Sequence, residues 1–269
     1  MAFNVGIQLF TLRNEMKENF YGTLKKVKEM GYDGVEFAGL FGHTAAEIKE
    51  MCADLGLDPI SAHVPYEEMM DDPEGVIGTY KEIGCKYVVV PYLREECRPD
   101  KDCFGEVVKN IEMLAGVAEK MGLTMLYHNH DFEFMKLNGK YALEILYDSV
   151  PALQSEIDTC WVNVGGEEPA KYLLKYQDRA PIVHLKDFYG EKSEDMYELI
   201  GIDKKAPARP SNFEFRPVGS GVQNFPAILE SAKKIGATWV IVEQDKPSMG
   251  LTPIESAKKS LDYVKTINK

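Results

Sequence analysis

Basic residues and long apolar runs are both scarce in this sequence. Lysine and arginine together number 31 against 43 aspartates and glutamates, which gives a formal net charge of −12. An acid excess of this size argues against nucleic-acid binding, which needs basic side chains to neutralise phosphates. Apolar runs never reach the roughly 18 residues that a membrane helix requires, and residues 1–4 lead directly into a strand pattern without the features of a secretion signal. These absences predict a cytoplasmic protein that binds neither nucleic acid nor membrane.

Cysteine is also sparse. The five cysteines are odd in number and show neither CxxC nor zinc-ribbon spacing. Reduced thiols are therefore expected rather than a disulfide framework or a structural zinc site.

Apolar periodicity alternates between strand and helix along the whole chain. Predicted strands cover residues 3–9, 32–38, 57–64, 85–92, a fifth strand from 123, 153–162, 181–188 and 238–245. Predicted helices cover residues 19–31, 44–56, 73–84, 102–122, 141–150, a helix from 167, 224–236 and a helix from 252. Eight strands alternating with eight helices predict an α/β fold, a single (β/α)8 TIM barrel over residues 1–269. An open doubly wound sheet would need a glycine-rich fingerprint after the first strand, and Gly6-Ile7-Gln8-Leu9 supplies none.

One irregular stretch, residues 189–223, interrupts the alternation. It follows the predicted seventh strand and contains Gly219-Ser220-Gly221. Loops of this length are usually functional or disordered, so this stretch is predicted to be an inserted βα loop over the site.

Polar and ionisable residues gather at the predicted carboxyl ends of the strands, where TIM barrels carry their chemistry. They are Gln8, Glu36, His63, His128, His130, Asp158, His184, Lys186, Glu243 and Asp245. Period-two alternation turns one candidate ligand from each of strands five to eight toward the barrel axis, namely His128, Asp158, His184 and Glu243. Two imidazoles and two carboxylates suit Mn²⁺, our first expectation, and also Zn²⁺, Co²⁺ or Fe²⁺. Calcium prefers all-oxygen ligation and fits less well.

The motifs on these strands resemble those of the xylose-isomerase-like barrel superfamily, the sugar phosphate isomerase/epimerase group. The strings that carry the resemblance are Tyr127-His128-Asn129-His130, Glu156-Ile157-Asp158, His184-Leu185-Lys186-Asp187 and Val242-Glu243-Gln244-Asp245. The resemblance implies a divalent-metal enzyme that isomerises or epimerises a small keto- or aldo-sugar through a metal-stabilised enediolate. It also implies a metal held by side chains from strands five to eight.

One position departs from the epimerase pattern. Epimerases of this group carry a glutamate on strand five, where this chain presents His128, so one of two opposed carboxylate bases is replaced by imidazole. A one-sided reaction then fits equally well, and the alternative is a lyase or dehydratase acting on a 3-keto-sugar or inosose-like substrate by β-elimination. A sugar-binding barrel without catalysis would be favoured by missing ligands, and a DNA-repair endonuclease would need more ligands and a basic face; neither feature is evident.

Each candidate residue receives an expected role. The expected metal ligands are His128, Asp158, His184 and Glu243, with His128 preferred to His130 because it lies deeper in its strand. Proton transfer and oxyanion stabilisation are assigned to Glu243, Lys186, His63 and His130. Substrate contacts are assigned to Gln8, Glu36, Asn129 and Trp161. The expected partner is a small sugar, and homo-oligomer formation is left open.

Overall fold

Short apolar strands, each followed by an amphipathic helix, produce the architecture of this chain. The computed structural model describes residues 2–193, 196–200 and 212–269. In these ranges eight parallel strands close into a barrel: each barrel strand pairs with the next one along the chain, and the last pairs back with the first. Their bounds are Asn4–Gln8 (β1), Gly34–Phe37 (β2), Asp58–His63 (β3), Tyr87–Val90 (β4), Thr124–His128 (β5), Gln154–Asp158 (β8), Ile182–Leu185 (β9) and Trp239–Val242 (β12). The predicted (β/α)8 barrel is confirmed.

Eleven α-helices connect or flank these strands in the described ranges. They are Arg13–Glu18 (α1), Phe20–Met30 (α2), Ala45–Leu55 (α3), Tyr66–Asp71 (α4), Pro73–Ile83 (α5), Phe104–Lys120 (α6), Ala142–Ser149 (α7), Thr159–Val164 (α8), Pro169–Leu173 (α9), Phe225–Lys234 (α10) and Pro253–Ile267 (α11). Two of these helices begin at a capping box. Thr44 forms one with Glu47 at the start of α3, and Thr252 forms one with Glu255 at the start of α11. No helix among the described residues is long and apolar enough to span a bilayer.

Two layers of apolar residues hold the barrel. Outward-facing strand residues pack against the helices in the main core, while a separate cluster fills the barrel interior: Ile60, Val89, Leu126, Ile182, Trp239 and Ile241. Leu126, Ile182 and Ile241 each lie two residues before a predicted ligand, as alternation requires. The polar residues therefore lie above an apolar plug, at the carboxyl ends of the strands.

Three barrel strands end three or more residues earlier than predicted. The eighth strand, predicted over residues 238–245, ends at Val242. The sixth strand, predicted over residues 153–162, ends at Asp158, because the Asp158 side chain accepts a hydrogen bond from the Trp161 backbone N–H at 3.0 Å and starts α8. The seventh barrel strand ends at Leu185 instead of 188, and the next residues form Asp187–Tyr189 (β10), which pairs with Glu214–Arg216 (β11) in an antiparallel ribbon. A second small ribbon pairs Lys136–Leu137 (β6) with Lys140–Tyr141 (β7).

The inserted stretch predicted at 189–223 thus contains ordered structure. Residues 194–195 and 201–211 of it lie outside the described residues. The Asp187 carboxylate organises the rest, accepting hydrogen bonds from the backbone N–H groups of Gly219, Gly221 and Gln223 at 3.0, 2.8 and 3.2 Å. A Cβ at position 221 would lie 2.3 Å from Asp187 Oδ1, so the close approach requires glycine.

Candidate active site

Four side chains from consecutive barrel strands meet at one point, and we call His128, Asp158, His184 and Glu243 the outer set. One ligand atom from each lies within 4.8 Å of all the others. His128 Nε2 is 3.4 Å from Asp158 Oδ2 and 3.8 Å from Glu243 Oε2, and His184 Nδ1 is 3.1 Å from Glu243 Oε2. Alternation therefore brings together the four residues that the sequence singled out.

The donor chemistry of the outer set fits a divalent metal ion. Tetrahedral ligands about 2.1 Å from an ion are about 3.4 Å apart, close to the measured spacings. His128 Nε2 and Asp158 Oδ2 are buried and lack a hydrogen-bond partner in the described structure, which is costly unless something else satisfies them. His128 Nδ1 lies 3.1 Å from the Pro91 carbonyl oxygen, so this ring presents Nε2 to the outer set.

A second buried group lies deeper in the barrel, and we call Glu36, His63 and Glu156 the inner group. His63 Nε2 is 2.6 Å from Glu156 Oε2 and 3.1 Å from Glu36 Oε1. Burial alone would lower the pKa of His63, but the two carboxylates raise it to about 10. The residues His63, His128, Glu156 and His184 also offer ligand atoms within 4.8 Å of one another, but a 2.6 Å contact is a charge-assisted hydrogen bond rather than the separation of two metal ligands.

Lys186 lies beside the outer set, in contact with two carboxylates. Its Nζ is 2.8 Å from Asp245 Oδ1 and 3.1 Å from Glu243 Oε2. Burial disfavours the ammonium form, but these acids hold the pKa of Lys186 above its ordinary value. Burial also raises the pKa of Asp245 to about 7, although Lys186 opposes this change.

His130 lies above the outer set in an aromatic layer. Its ring is 5.1 Å from that of Phe132 and 5.0 Å from that of Trp161, centroid to centroid. Burial, together with His128 and Lys186, holds the pKa of His130 well below its usual range. A neutral imidazole results, and its Nδ1 has no hydrogen-bond partner in the described structure.

The residues predicted to contact substrate have other surroundings in the structure. Gln8 donates to Glu36 Oε1 at 2.8 Å. Asn129 brackets the Asp158 backbone, accepting from its N–H at 3.0 Å and donating to its C=O at 3.2 Å. Trp161 is fully buried, with Lys186 Nζ 5.2 Å from its ring centroid. Neither these three residues nor Glu36 are among those that line the pocket at the site. Their role as substrate contacts stays a prediction.

A pocket lies over the outer set. Its floor and walls include His63, His128, His130, Lys186, Glu243 and Asp245, and its remaining lining residues are Phe10, Pro91, Tyr92, Glu198, Leu199 and Ile200. Glu198 is held over the pocket by ion pairs with Arg13 and with Lys246. Described residues of the inserted stretch therefore lie over the site.

Sequence reasoning missed three contributors to the site: Glu156, Ser61 and Glu198. Glu156 precedes Asp158 by two residues on the same strand face, so alternation itself was a signal for it. Ser61 donates to Glu36 Oε2 at 2.6 Å, and Glu198 reaches the site from the inserted stretch. Ser61 precedes His63 by two residues on β3, so alternation marks it as well, whereas no regular pattern marks Glu198 in the inserted stretch.

Comparison with known proteins gives consistent matches. A curated inosose dehydratase from Lacticaseibacillus casei is 23% identical over 61% of this chain, and the match spans 54% of that protein. The inosose dehydratase of Geobacillus kaustophilus is 22% identical over 90% of this chain and 85% of its own length. Among solved structures, a sugar phosphate isomerase/epimerase from Parabacteroides distasonis superposes with a TM-score of 0.75 at 21% identity, covering 100% of this chain and 96% of that one. A zinc-binding IolI protein superposes with a TM-score of 0.71 at 19% identity, covering 99% of each chain.

The family model described as xylose isomerase-like TIM barrel matches residues 24–267. The match spans seven of the eight barrel strands and all four residues of the outer set. This chain belongs to the xylose isomerase-like TIM barrel family.

Proposed function

We propose that this protein is a divalent-metal-dependent isomerase or epimerase of a small keto- or aldo-sugar, and that the outer set holds its metal. The observation that carries the proposal is the convergence of four metal-type donors, two of them buried atoms without a hydrogen-bond partner, beneath a small pocket. The zinc-binding IolI structure shares the fold, which supports the choice of a divalent ion. We expect Mn²⁺, with Zn²⁺, Co²⁺ or Fe²⁺ as alternatives.

When bound, the ion would supply Lewis acidity, polarising a substrate carbonyl and acidifying the neighbouring C–H bond. The side chains around it then divide the remaining work. Glu243 is both a member of the outer set and a lining residue of the pocket, so we assign it proton abstraction from carbon. Lys186 donates hydrogen bonds to Glu243 and Asp245, and we assign its third N–H to the oxygen on which charge develops.

The two remaining catalytic candidates, His130 and His63, have different contacts in the structure. His130 presents an unpartnered Nδ1 in the pocket lining and is suited to hydrogen-bond a substrate hydroxyl. His63 also lines the pocket, but its Nε2 contacts Glu156 and Glu36, which do not line it. We therefore assign His130 to the substrate and His63 to the support of the ligands.

A dehydratase is the second candidate. It is favoured by the inosose dehydratases among the curated relatives and by the imidazole of His128 on the strand where a second carboxylate base would be needed for symmetric epimerisation. Both reactions begin with loss of the same acidic proton and differ in whether a hydroxyl leaves afterwards.

Proton NMR in D₂O tests both candidates. Mn²⁺-loaded protein is mixed with a panel of ketoses, aldoses and inososes, and deuterium incorporation is followed at each carbon. Exchange next to the carbonyl with all hydroxyls retained is expected for an isomerase or epimerase, and loss of a hydroxyl identifies the dehydratase. Metal-replete protein that exchanges no proton in any member of the panel would contradict both.

A further inference from the structure

Glu36 is the most heavily hydrogen-bonded carboxylate beneath the outer set. Its Oε1 lies 2.8 Å from Gln8 Nε2, 2.9 Å from His184 Nε2 and 3.1 Å from His63 Nε2, and its Oε2 accepts from Ser61 Oγ at 2.6 Å. The side chain is fully buried. Four neighbouring donors on three different strands fix this carboxylate in position, so it provides a rigid acceptor.

The two ring nitrogens of His184 face opposite directions. Nδ1 points to Glu243 in the outer set at 3.1 Å, while Nε2 points to Glu36 at 2.9 Å and to Glu156 Oε1 at 3.4 Å. A neutral imidazole carries one N–H, so Nδ1 can bind a metal only when the proton is on Nε2. A carboxylate beside Nε2 selects this tautomer, since it can only accept.

We propose that Glu36 is a positioning residue, which accepts the Nε2–H of His184 and thereby aims Nδ1 at the metal held by the outer set. His63 and Glu156 extend this support, since His63 bridges the two carboxylates below the ring. This inference rests on the proposed metal site and gives Glu36 and Gln8 a different role from substrate contact.

The expected size of the effect follows from comparable carboxylate–histidine–metal arrangements. Loss of such an outer partner typically weakens metal affinity about 10- to 100-fold. Glu36→Gln keeps the shape of the side chain but removes the charge and offers an amide N–H₂ that can face His184. The affinity for Mn²⁺ and Co²⁺ should fall within this range, and the Co²⁺ absorption spectrum should change with the altered ligand geometry.

Glu230→Gln is the matched control. It makes the same chemical change at an exposed carboxylate on α10 that pairs with Lys234 and is not part of the site. Its affinity for Mn²⁺ and Co²⁺ and its Co²⁺ spectrum should match those of the wild type. Melting temperatures of both variants are measured in parallel, so that loss of folding is recognised.

Nitrogen-15 NMR of the Zn²⁺-loaded wild type tests the tautomer without any substitution. A proton on Nε2 of His184 is expected, and a proton on Nδ1 would overturn the inference, as would a Glu36→Gln protein with wild-type metal affinity and spectrum. Two bound ions per chain, one of them lost in Glu156→Gln, would also overturn it, because the inner group would then be a metal site. If the wild type binds no divalent metal at all, both the proposed function and this inference are wrong. If the wild type binds metal and turns over substrate, and Glu36→Gln does the same with unchanged metal affinity, only this inference is wrong.

Discussion

Glu243→Gln separates the two roles that we assign to this residue, metal ligand and base. The substitution preserves size and one oxygen donor but removes the negative charge from a buried position. Glu243 Oε2 lies 3.1 Å from His184 Nδ1, 3.1 Å from Lys186 Nζ and 3.8 Å from His128 Nε2. Burial disfavours its ionised form, yet Lys186 and His184 hold the pKa of Glu243 well below its usual range, so a full charge is lost.

Two magnitudes follow from this loss of charge. Unit charges about 4 Å apart interact by about 4 kcal/mol at an effective dielectric constant of about 20, so metal affinity should weaken even though one oxygen remains. Removal of a general base typically costs about 10²–10⁴ in turnover, equivalent to about 3–5 kcal/mol in activation free energy. This second loss should persist when Mn²⁺ is saturating.

The assay is the rate of solvent deuterium exchange into substrate, measured at increasing Mn²⁺ until the rate is constant. Glu230→Gln, on the exposed face of α10 and paired only with Lys234 among the described residues, is a charge-matched control and should exchange like the wild type. Asp245→Asn should be milder than Glu243→Gln. A metal-saturated Glu243→Gln protein that exchanges at the wild-type rate would show that Glu243 is only a ligand.

Three further predictions concern the metal ligands, the position of Glu198 over the pocket, and the effect of pH on stability. His128→Ala should lose bound metal in elemental analysis, whereas His130→Ala should keep it and lose turnover; the reverse result would exchange their roles. Arg13→Gln removes one anchor of Glu198 and should raise KM more than it lowers kcat, an expectation that equal changes in both would refute. Burial raises the pKa of Glu133 to about 8 from an ordinary value of 4.5, so the folded state keeps a proton that the unfolded state loses, and stability falls as pH rises through this window. Glu133→Gln cannot ionise and should lose less melting temperature than the wild type between pH 5 and 8; parallel curves would contradict this.

The predictable part of the site is what period-two geometry controls. Alternation alone places His128, Asp158, His184 and Glu243 on inward faces. The register of the barrel pairs Asp158 directly with His184, whereas His128 pairs with Glu156 and His184 with Ile241. The fold follows from the same regularity repeated eight times. Their roles as ligands and base remain predictions until metal binding is measured.

The less predictable part depends on contacts between distant segments. Glu36 and His184 are 148 residues apart, and no local pattern shows that Glu36 faces an imidazole instead of a substrate hydroxyl. The end of β8 is a local competition of another kind. Thr159-Cys160-Trp161-Val162 has β-forming side chains, but the N-cap hydrogen bond from Trp161 to Asp158 starts a helix there.

The Asp187 carboxylate has a further consequence for substrate choice. The backbone N–H groups of Gly219, Gly221 and Gln223 form a concave anion-binding nest after the seventh barrel strand, a region where many TIM barrels grip phosphate. In this protein the Asp187 carboxylate occupies the nest. Because it belongs to the same chain, its effective concentration at the nest is higher than free phosphate can reach. A phosphorylated sugar would find this nest already filled, so we expect no advantage for phosphorylated over free sugars at this nest, and inorganic phosphate should not compete there.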